Sequence, residues 1–137
     1  MAIIKNELES RHRIICVDLD GVILSYIKGW CGDNRYGKPV RGALEGMRKL
    51  VLDGWWVVIY TCRGDRNKIG SILANYGFQR GRHYHSINRR KNTISGTYPG
   101  KIGADLYLDD RAVTFDGDWV KAFKRVKKFQ PWESVKK

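Results

Sequence analysis

Short apolar runs alternate with amphipathic segments along the chain. The runs at 13–19, 55–61 and 102–108 are rich in aliphatic, aromatic and β-branched residues, and these compositions predict strands covered on both faces. A shorter run at 82–88 predicts a further strand, and 112–115 a last short one that ends at the turn signal Asp116-Gly117.

Three segments between or after these runs repeat their apolar residues at the spacing of a helix. Each is bounded by residues that favour helix ends, namely proline or aspartate at the start and glycine or proline at the end. The predicted boundaries are Pro39 and Gly54, Asp65 and Gly77, and Asp118 and Pro131.

The last helix is basic and amphipathic. Trp119, Phe123 and Val126 make one apolar face, while lysines and arginines occupy the other positions. Such a helix can bind a membrane or nucleic acid. We favour the interpretation that its apolar face packs on the core, because the stripe has the width of a core-facing helix.

Strands that alternate with helices predict an α/β fold with a mainly parallel sheet. A chain of 137 residues is long enough for one domain with a substantial core. We therefore expect a single Rossmann-like, three-layer domain, with a lead-in at 1–12, a core at 13–130 and a basic tail at 131–137.

Polar side chains follow three of the predicted strands at the point where each strand ends. These residues are Asp18 and Asp20, Thr61, and Asp109 and Asp110. The carboxyl ends of parallel strands meet at one edge of a sheet, where α/β proteins place their ligands. Crowded carboxylates repel one another, and a bound cation relieves that repulsion. The pattern therefore predicts one acidic crevice.

Composition restricts the partners and the compartment. The formal net charge is +12, and residues 66–104 include eight Lys or Arg and no acidic residue, a field that attracts phosphates or nucleic acid. Three widely spaced cysteines indicate reduced thiols in a cytoplasmic protein. The apolar runs are too short to span a membrane, and the N-terminus lacks a signal-peptide pattern.

The chain resembles the haloacid dehalogenase (HAD) superfamily of phosphohydrolases over about residues 13–112. The resemblance is carried by four pieces in the family's order and spacing: a nucleophile loop, a strand-end threonine, a lysine and a pair of acids. They are Asp18-Leu19-Asp20-Gly21-Val22, Thr61, Lys101 and Asp109-Asp110.

The resemblance implies a division of labour among these residues. Asp18 is expected to be the nucleophile that forms an aspartyl-phosphate, and Asp20 the general acid and then the base. Thr61 is expected to donate a hydrogen bond to a phosphoryl oxygen, and Lys101 to neutralise the nucleophile and the phosphate.

The resemblance also implies a Mg²⁺ cofactor. The expected direct ligands are Asp18, the backbone carbonyl of Asp20, and Asp110, with Asp109 lying behind them or binding the metal through water. Asp110 takes the position at which the family's variant motif carries its aspartate.

The substrate is expected to be a nucleotide or a phosphorylated nucleic-acid end. The insertions at 23–38 and 89–100 are too short for the family's usual cap domain, and family members without a cap often act on large substrates. Gly21, Cys62, Arg63 and Arg111 are the expected substrate-binding residues. A basic stretch with three aromatic residues is expected near the crevice mouth: Arg80, Arg82, Arg89, Arg90 and Lys91, with Trp30, Tyr84 and Tyr98.

Three alternatives remain open from the sequence. A basic nucleic-acid-binding module with a vestigial site would explain the charge without chemistry. A phosphotransferase or mutase would share the aspartyl-phosphate step, although that class normally uses a cap to exclude water. His83 and His85, on one face of a strand, could also contribute to a metal site, although such sites usually need further ligands.

Overall fold

The computed structural model describes residues 12–27, 35–89 and 101–133. Within them, four parallel strands form one sheet in the order β3-β2-β1-β4. The α/β class and the parallel sheet predicted from the sequence are therefore confirmed. In chain order the elements are β1 Ile14–Asp18, α1 Ala43–Leu52, β2 Trp56–Tyr60, α2 Arg66–Asn75, β3 Ser86–Ile87, β4 Leu106–Leu108 and α3 Trp119–Lys128.

The register of the central strands fixes what meets at the carboxyl edge. Asp18 pairs with Tyr60 of β2, and Val17 pairs with Leu108 of β4. The residues that follow Tyr60 and Leu108 therefore leave the sheet at the level of Asp18. These residues are Thr61 on one side and Asp109 on the other.

The two faces of the sheet are covered differently. On one face, alternate β-strand residues such as Val17 and Ile59 pack with Met47 of α1 and Leu73 of α2 in the larger apolar cluster. On the other face, a smaller cluster is built on Cys16, Val58 and Ile102, and none of its members among the described residues is helical. The described residues thus form two of the three expected layers.

The third strand is shorter than predicted. Only Ser86–Ile87 pairs with β2. Residues before it turn, because the N–H of His83 donates to the carbonyl of Gln79 at 2.9 Å. The prediction of a strand at 112–115 is wrong. These residues are not in strand conformation and pair with no strand of the sheet.

The caps of the later helices agree with the sequence. Asp65 accepts a hydrogen bond from the N–H of Lys68, and Asp118 accepts from the N–H groups of Val120 and Lys121. These bonds satisfy amides that have no partner inside the helix.

The packing predicted for α3 is wrong. Its apolar face is open to solvent, with Trp119 79%, Phe123 60% and Val126 59% exposed, while only Ala122 is buried. The helix is instead attached by Arg125, whose guanidinium donates to the carbonyl of Thr114 and to the carboxylate of Asp116. None of the described helices has the length and apolar character needed to cross a membrane.

Candidate active site

Three carboxylates converge at the carboxyl edge of the sheet. Asp18 ends β1, and Asp109 and Asp110 directly follow β4. One carboxylate oxygen from each lies within 4.8 Å of those from the other two, and all three residues are half-buried. The structure thus brings together three of the four acids that the sequence predicted would meet, and Asp20 is not among them.

Gly21 lies directly against this group, which we call the aspartate triad. A Cβ built on Gly21 would lie 2.2 Å from Oδ2 and 2.7 Å from Cγ of Asp110, closer than atoms can approach. Gly21 also has a φ of +98°, a conformation that residues with a side chain rarely adopt. Any side chain at position 21 would therefore be strained and would displace the carboxylate of Asp110.

The triad raises the pKa of Asp18 to about 8. Burial is the largest cause, because it disfavours the charged form, and a hydrogen bond with Asp110 and the negative charges of Asp109 and Asp110 add to it.

This shift gives the metal-free protein a pH-dependent stability. A carboxyl whose pKa is higher in the fold than in the unfolded chain binds more protons when folded, so stability falls as pH rises between the two values. The full shift would correspond to roughly 5–6 kcal/mol, and solvent screening of a half-buried group reduces it. We therefore expect the free energy of unfolding in EDTA to fall by an amount on the order of 2 kcal/mol from about pH 4 to about pH 8 through this group. The measurement is urea unfolding at a series of pH values for the wild type and Asp18→Asn.

The difference between the two proteins isolates the contribution of Asp18. The Asp18→Asn variant should gain stability relative to the wild type as pH rises through this range, because it has no charge to bury. Parallel pH profiles for the two proteins would show that the environment of Asp18 is not the one described here.

The donor set of the triad suits a hard divalent cation. Carboxylate oxygens are the ligands that Mg²⁺ prefers in proteins, and their mutual repulsion falls when a cation binds. The Oδ1 atom of Asp110 is also buried without a hydrogen-bond partner in the part of the chain that the structure describes. A buried oxygen of this kind normally has a partner, which a cation would provide.

Asp20 is held by Arg63 rather than left open. Its Oδ2 accepts from Nε of Arg63 at 2.8 Å and its Oδ1 from a terminal nitrogen at 3.0 Å, the two-point geometry typical of arginine and carboxylate. Arg63 is 1% exposed, and its guanidinium also donates to the carbonyl of Arg35 and lies 4.0 Å from the ring centroid of Tyr36.

The expectation that Arg63 binds substrate stays a prediction. In the structure its buried guanidinium already contacts a carboxylate, a carbonyl and an aromatic ring. The sequence placed Arg63 near the site but gave no sign that its partner would be Asp20, which lies 43 residues earlier. The structure makes Arg63 a positioning residue for Asp20.

Thr61 is oriented by a residue to which the sequence assigned no role. Its N–H donates to Oδ1 of Asn88 at 2.8 Å, and the amide of Asn88 donates to the carbonyl of Arg63. Asn88 has a φ of 52°, and asparagine is one of the few residues with a side chain that tolerate this conformation. The Oγ1 atom of Thr61 accepts from the N–H of Arg63, which leaves its hydroxyl proton able to donate.

Three other expected site residues lie at the periphery. The ammonium of Lys101 lies 4.4 Å from the ring centroid of Tyr107, and no ion pair joins it to the triad within the described ranges. Cys62 is exposed. Arg111 donates its N–H to Asp109, and its guanidinium lies 4.8 Å from the ring centroid of Tyr26.

The first residues of the expected basic tail, at 131–133, contact the loop that follows Asp18. The indole N–H of Trp132 donates to the carbonyl of Gly21, and a carboxylate oxygen of Glu133 accepts from the N–H of Tyr26, both at 2.7 Å. The last described residues therefore hold the loop that follows Asp18. No local pattern in the sequence indicates a contact over 111 residues.

Only some of the residues expected to stack on a substrate or to bind a metal lie within the described residues. Tyr84 is 5% exposed and is not open for stacking. Trp30, Arg90, Lys91 and Tyr98 lie outside the described residues. The Nδ1 atoms of His83 and His85 accept backbone N–H bonds from Gln79 and Val57, so their roles in the described structure are structural.

Comparisons with known proteins support the fold alone. A conserved protein coded by a locus from Bacteroides thetaiotaomicron has a similar solved structure, with a TM-score of 0.59 and 20% sequence identity, over 91% of this chain and 98% of that one. No protein-family model and no curated protein matches the chain. The site itself must therefore support any statement about function.

Proposed function

We propose that the protein is a HAD-like, Mg²⁺-dependent phosphomonoester hydrolase that acts through an aspartyl-phosphate. The observation that supports this most is the aspartate triad, built from two neighbouring parallel strands beside a glycine whose replacement would displace the carboxylate of Asp110. A structural acidic cluster would not need three half-buried carboxylates, since each costs desolvation.

Asp18 is the nucleophile in this proposal. One of its carboxylate oxygens attacks the phosphorus, and the bond from phosphorus to the leaving oxygen breaks as the new bond forms. The leaving oxygen takes a proton from Asp20. Water then attacks the phosphorus of the aspartyl-phosphate, Asp20 takes back a proton, and inorganic phosphate leaves with Asp18 regenerated.

The hydrogen bonds to Asp20 set a condition on this role. Both of its oxygens accept from Arg63, so one of the two bonds must break before the carboxyl can reach a leaving group. Arg63 would therefore hold Asp20 away from the phosphate until substrate enters. Thr61, with its free hydroxyl proton, would donate to a phosphoryl oxygen.

Mg²⁺ would be held by Asp18, Asp110 and the backbone carbonyl of Asp20, with Asp109 lying behind these ligands or binding the metal through water. When bound, it supplies positive charge that draws the phosphate to an acidic crevice and offsets its developing charge. Lys101 could assist only after its ammonium leaves the ring of Tyr107.

A nucleotide or a phosphorylated nucleic-acid end is the proposed substrate class, since the formal net charge is +12. The exposed free thiol of Cys62 fits a reducing compartment such as the cytoplasm.

The proposal predicts metal-dependent phosphate release. Purified protein is assayed with p-nitrophenyl phosphate, nucleoside monophosphates and 3′- or 5′-phosphorylated oligonucleotides, with Mg²⁺ or with EDTA. We expect turnover on at least one substrate with Mg²⁺ and a loss of at least roughly 100-fold in EDTA, because the carboxylates otherwise repel the phosphate.

Two results would contradict the proposal. Turnover that is the same in EDTA would remove the metal from the reaction. An absence of turnover on every substrate, together with oligonucleotide binding, would favour the nucleic-acid-binding module with a vestigial site.

A further inference from the structure

A second concave site lies beside the edge of the sheet, between α2 and β3. It is a cavity of about 500 Å³, a size typical of small-ligand sites. Polar and basic side chains dominate its lining. We call it the arginine cavity, and its main polar lining residues are Arg66, Asn67, Ser71, Arg80, Ser86 and Arg89.

The charged side chains that line the arginine cavity are all positive. Three arginines line it, and no aspartate or glutamate is among its described lining residues. The sequence around it has the same bias, because residues 66–104 include no acidic residue. Like charges placed together in a concavity repel one another unless an anion occupies it.

One arginine has an unmet hydrogen-bonding requirement. The Nε atom of Arg89 is buried and has no hydrogen-bond partner among the residues that the structure describes. A buried guanidinium N–H without an acceptor is costly, and a movement of the Arg89 side chain into the cavity would let it donate to a phosphate oxygen, an acceptor of the right charge and geometry. Arg80 is already oriented, because its Nε donates to the carbonyl of His85 at 3.0 Å.

A neighbouring cavity adjoins the arginine cavity at the start of α2. It shares Arg66 and Asn67 with the arginine cavity and is also lined by Gly64 and by Asp65, whose carboxylate caps α2. Gly64 belongs to the loop that follows Thr61, which leaves the sheet at the level of Asp18. A chain of phosphates could therefore extend from the triad along the start of α2 into the arginine cavity.

From these observations we infer that the arginine cavity binds backbone phosphates of a single-stranded oligonucleotide whose terminal phosphate lies at the aspartate triad. This inference rests on the proposed function and narrows its substrate from a nucleotide to an oligonucleotide. Recognition would be independent of sequence, because the lining aromatic residue Tyr84 is buried and cannot stack on bases.

The test measures binding without catalysis. Fluorescence anisotropy of a labelled, 5′-phosphorylated oligothymidylate is recorded with Mg²⁺ over a range of salt concentrations, for the otherwise wild-type protein, Arg66→Gln and the double variant Arg66→Gln/Arg89→Gln, all in an Asp18→Asn background that cannot form the aspartyl-phosphate. Arg82→Gln is the matched control, since Arg82 is exposed, lies in the same basic stretch and does not line the cavity.

We expect the double variant to bind at least about 10-fold more weakly at about 0.1 M salt and its salt slope to fall by about 1.4, because each lost phosphate contact removes about 0.7. Arg66→Gln alone should lose about half of this slope, and it serves as the test if the double variant melts early. Arg82→Gln should stay within about twofold of the wild type. Thymidine monophosphate should compete poorly, because it cannot reach both sites.

Equal losses in Arg82→Gln and the double variant would overturn the inference, as would equal affinity for the mononucleotide and the oligonucleotide. The phosphatase assay separates this failure from that of the proposed function. Arginine-dependent binding without turnover would overturn the phosphatase alone, and turnover with arginine-independent binding would overturn the arginine cavity alone.

Discussion

Replacing Asp18 by asparagine is expected to lower kcat of the Mg²⁺-dependent reaction by roughly 10³-fold or more, as removal of a nucleophile does in other enzymes. An amide has nearly the shape of the carboxyl but cannot attack phosphorus. Because Asp18 is half-buried beside two other acids, the variant loses an unfavourable charge and should remain folded. Loss of activity would then reflect chemistry.

The measurement is phosphate release under saturating substrate, with melting curves for each protein. Asp53→Asn is the matched control, because it makes the same chemical change at an exposed residue after α1, away from the triad. Metal-dependent turnover that survives in Asp18→Asn would exclude Asp18 as the nucleophile, whatever happens to substrate binding.

The acidic site was predictable because its determinants are local in each strand. A buried run that ends in Asp18 can be recognised without knowing its neighbours, and the same holds for Thr61 and Asp110. The parallel sheet then brings these ends together through its topology alone. The sequence therefore predicted the convergence without any pairwise contact.

Contacts between distant segments were not predictable in this way. Arg63 looked like a substrate ligand because it follows a strand end, yet its partner Asp20 comes from another loop. Trp132 reaches the carbonyl of Gly21 from the far end of the chain. Hydrogen bonds of this kind depend on three-dimensional position and leave no periodic pattern.

The exposed face of α3 shows the limit of periodicity. Trp119, Phe123 and Val126 have the spacing of a core-facing stripe, and the helix forms with its predicted cap. Periodicity predicts that a helix has an apolar face. It does not specify which surface, if any, covers that face.

Replacing Gly21 by alanine is expected to abolish the response of the protein to Mg²⁺. The new Cβ would lie 2.2 Å from Oδ2 of Asp110, so the carboxylate must turn away and the triad loses a ligand. In the wild type, Mg²⁺ at about 100 times its dissociation constant should raise stability by about 2.7 kcal/mol. In the variant, this gain should disappear and kcat should fall by at least about 100-fold.

Gly54→Ala separates the steric contact from backbone strain. Gly54 has a φ of +95°, close to the +98° of Gly21, but a Cβ there would meet nothing within 4 Å. Both variants should lose about 1–2 kcal/mol of stability in EDTA, because an alanine is strained at positive φ. Only Gly21→Ala should also lose the Mg²⁺-induced rise in melting temperature and the turnover. If Gly21→Ala kept both, Asp110 would not be a ligand of the metal.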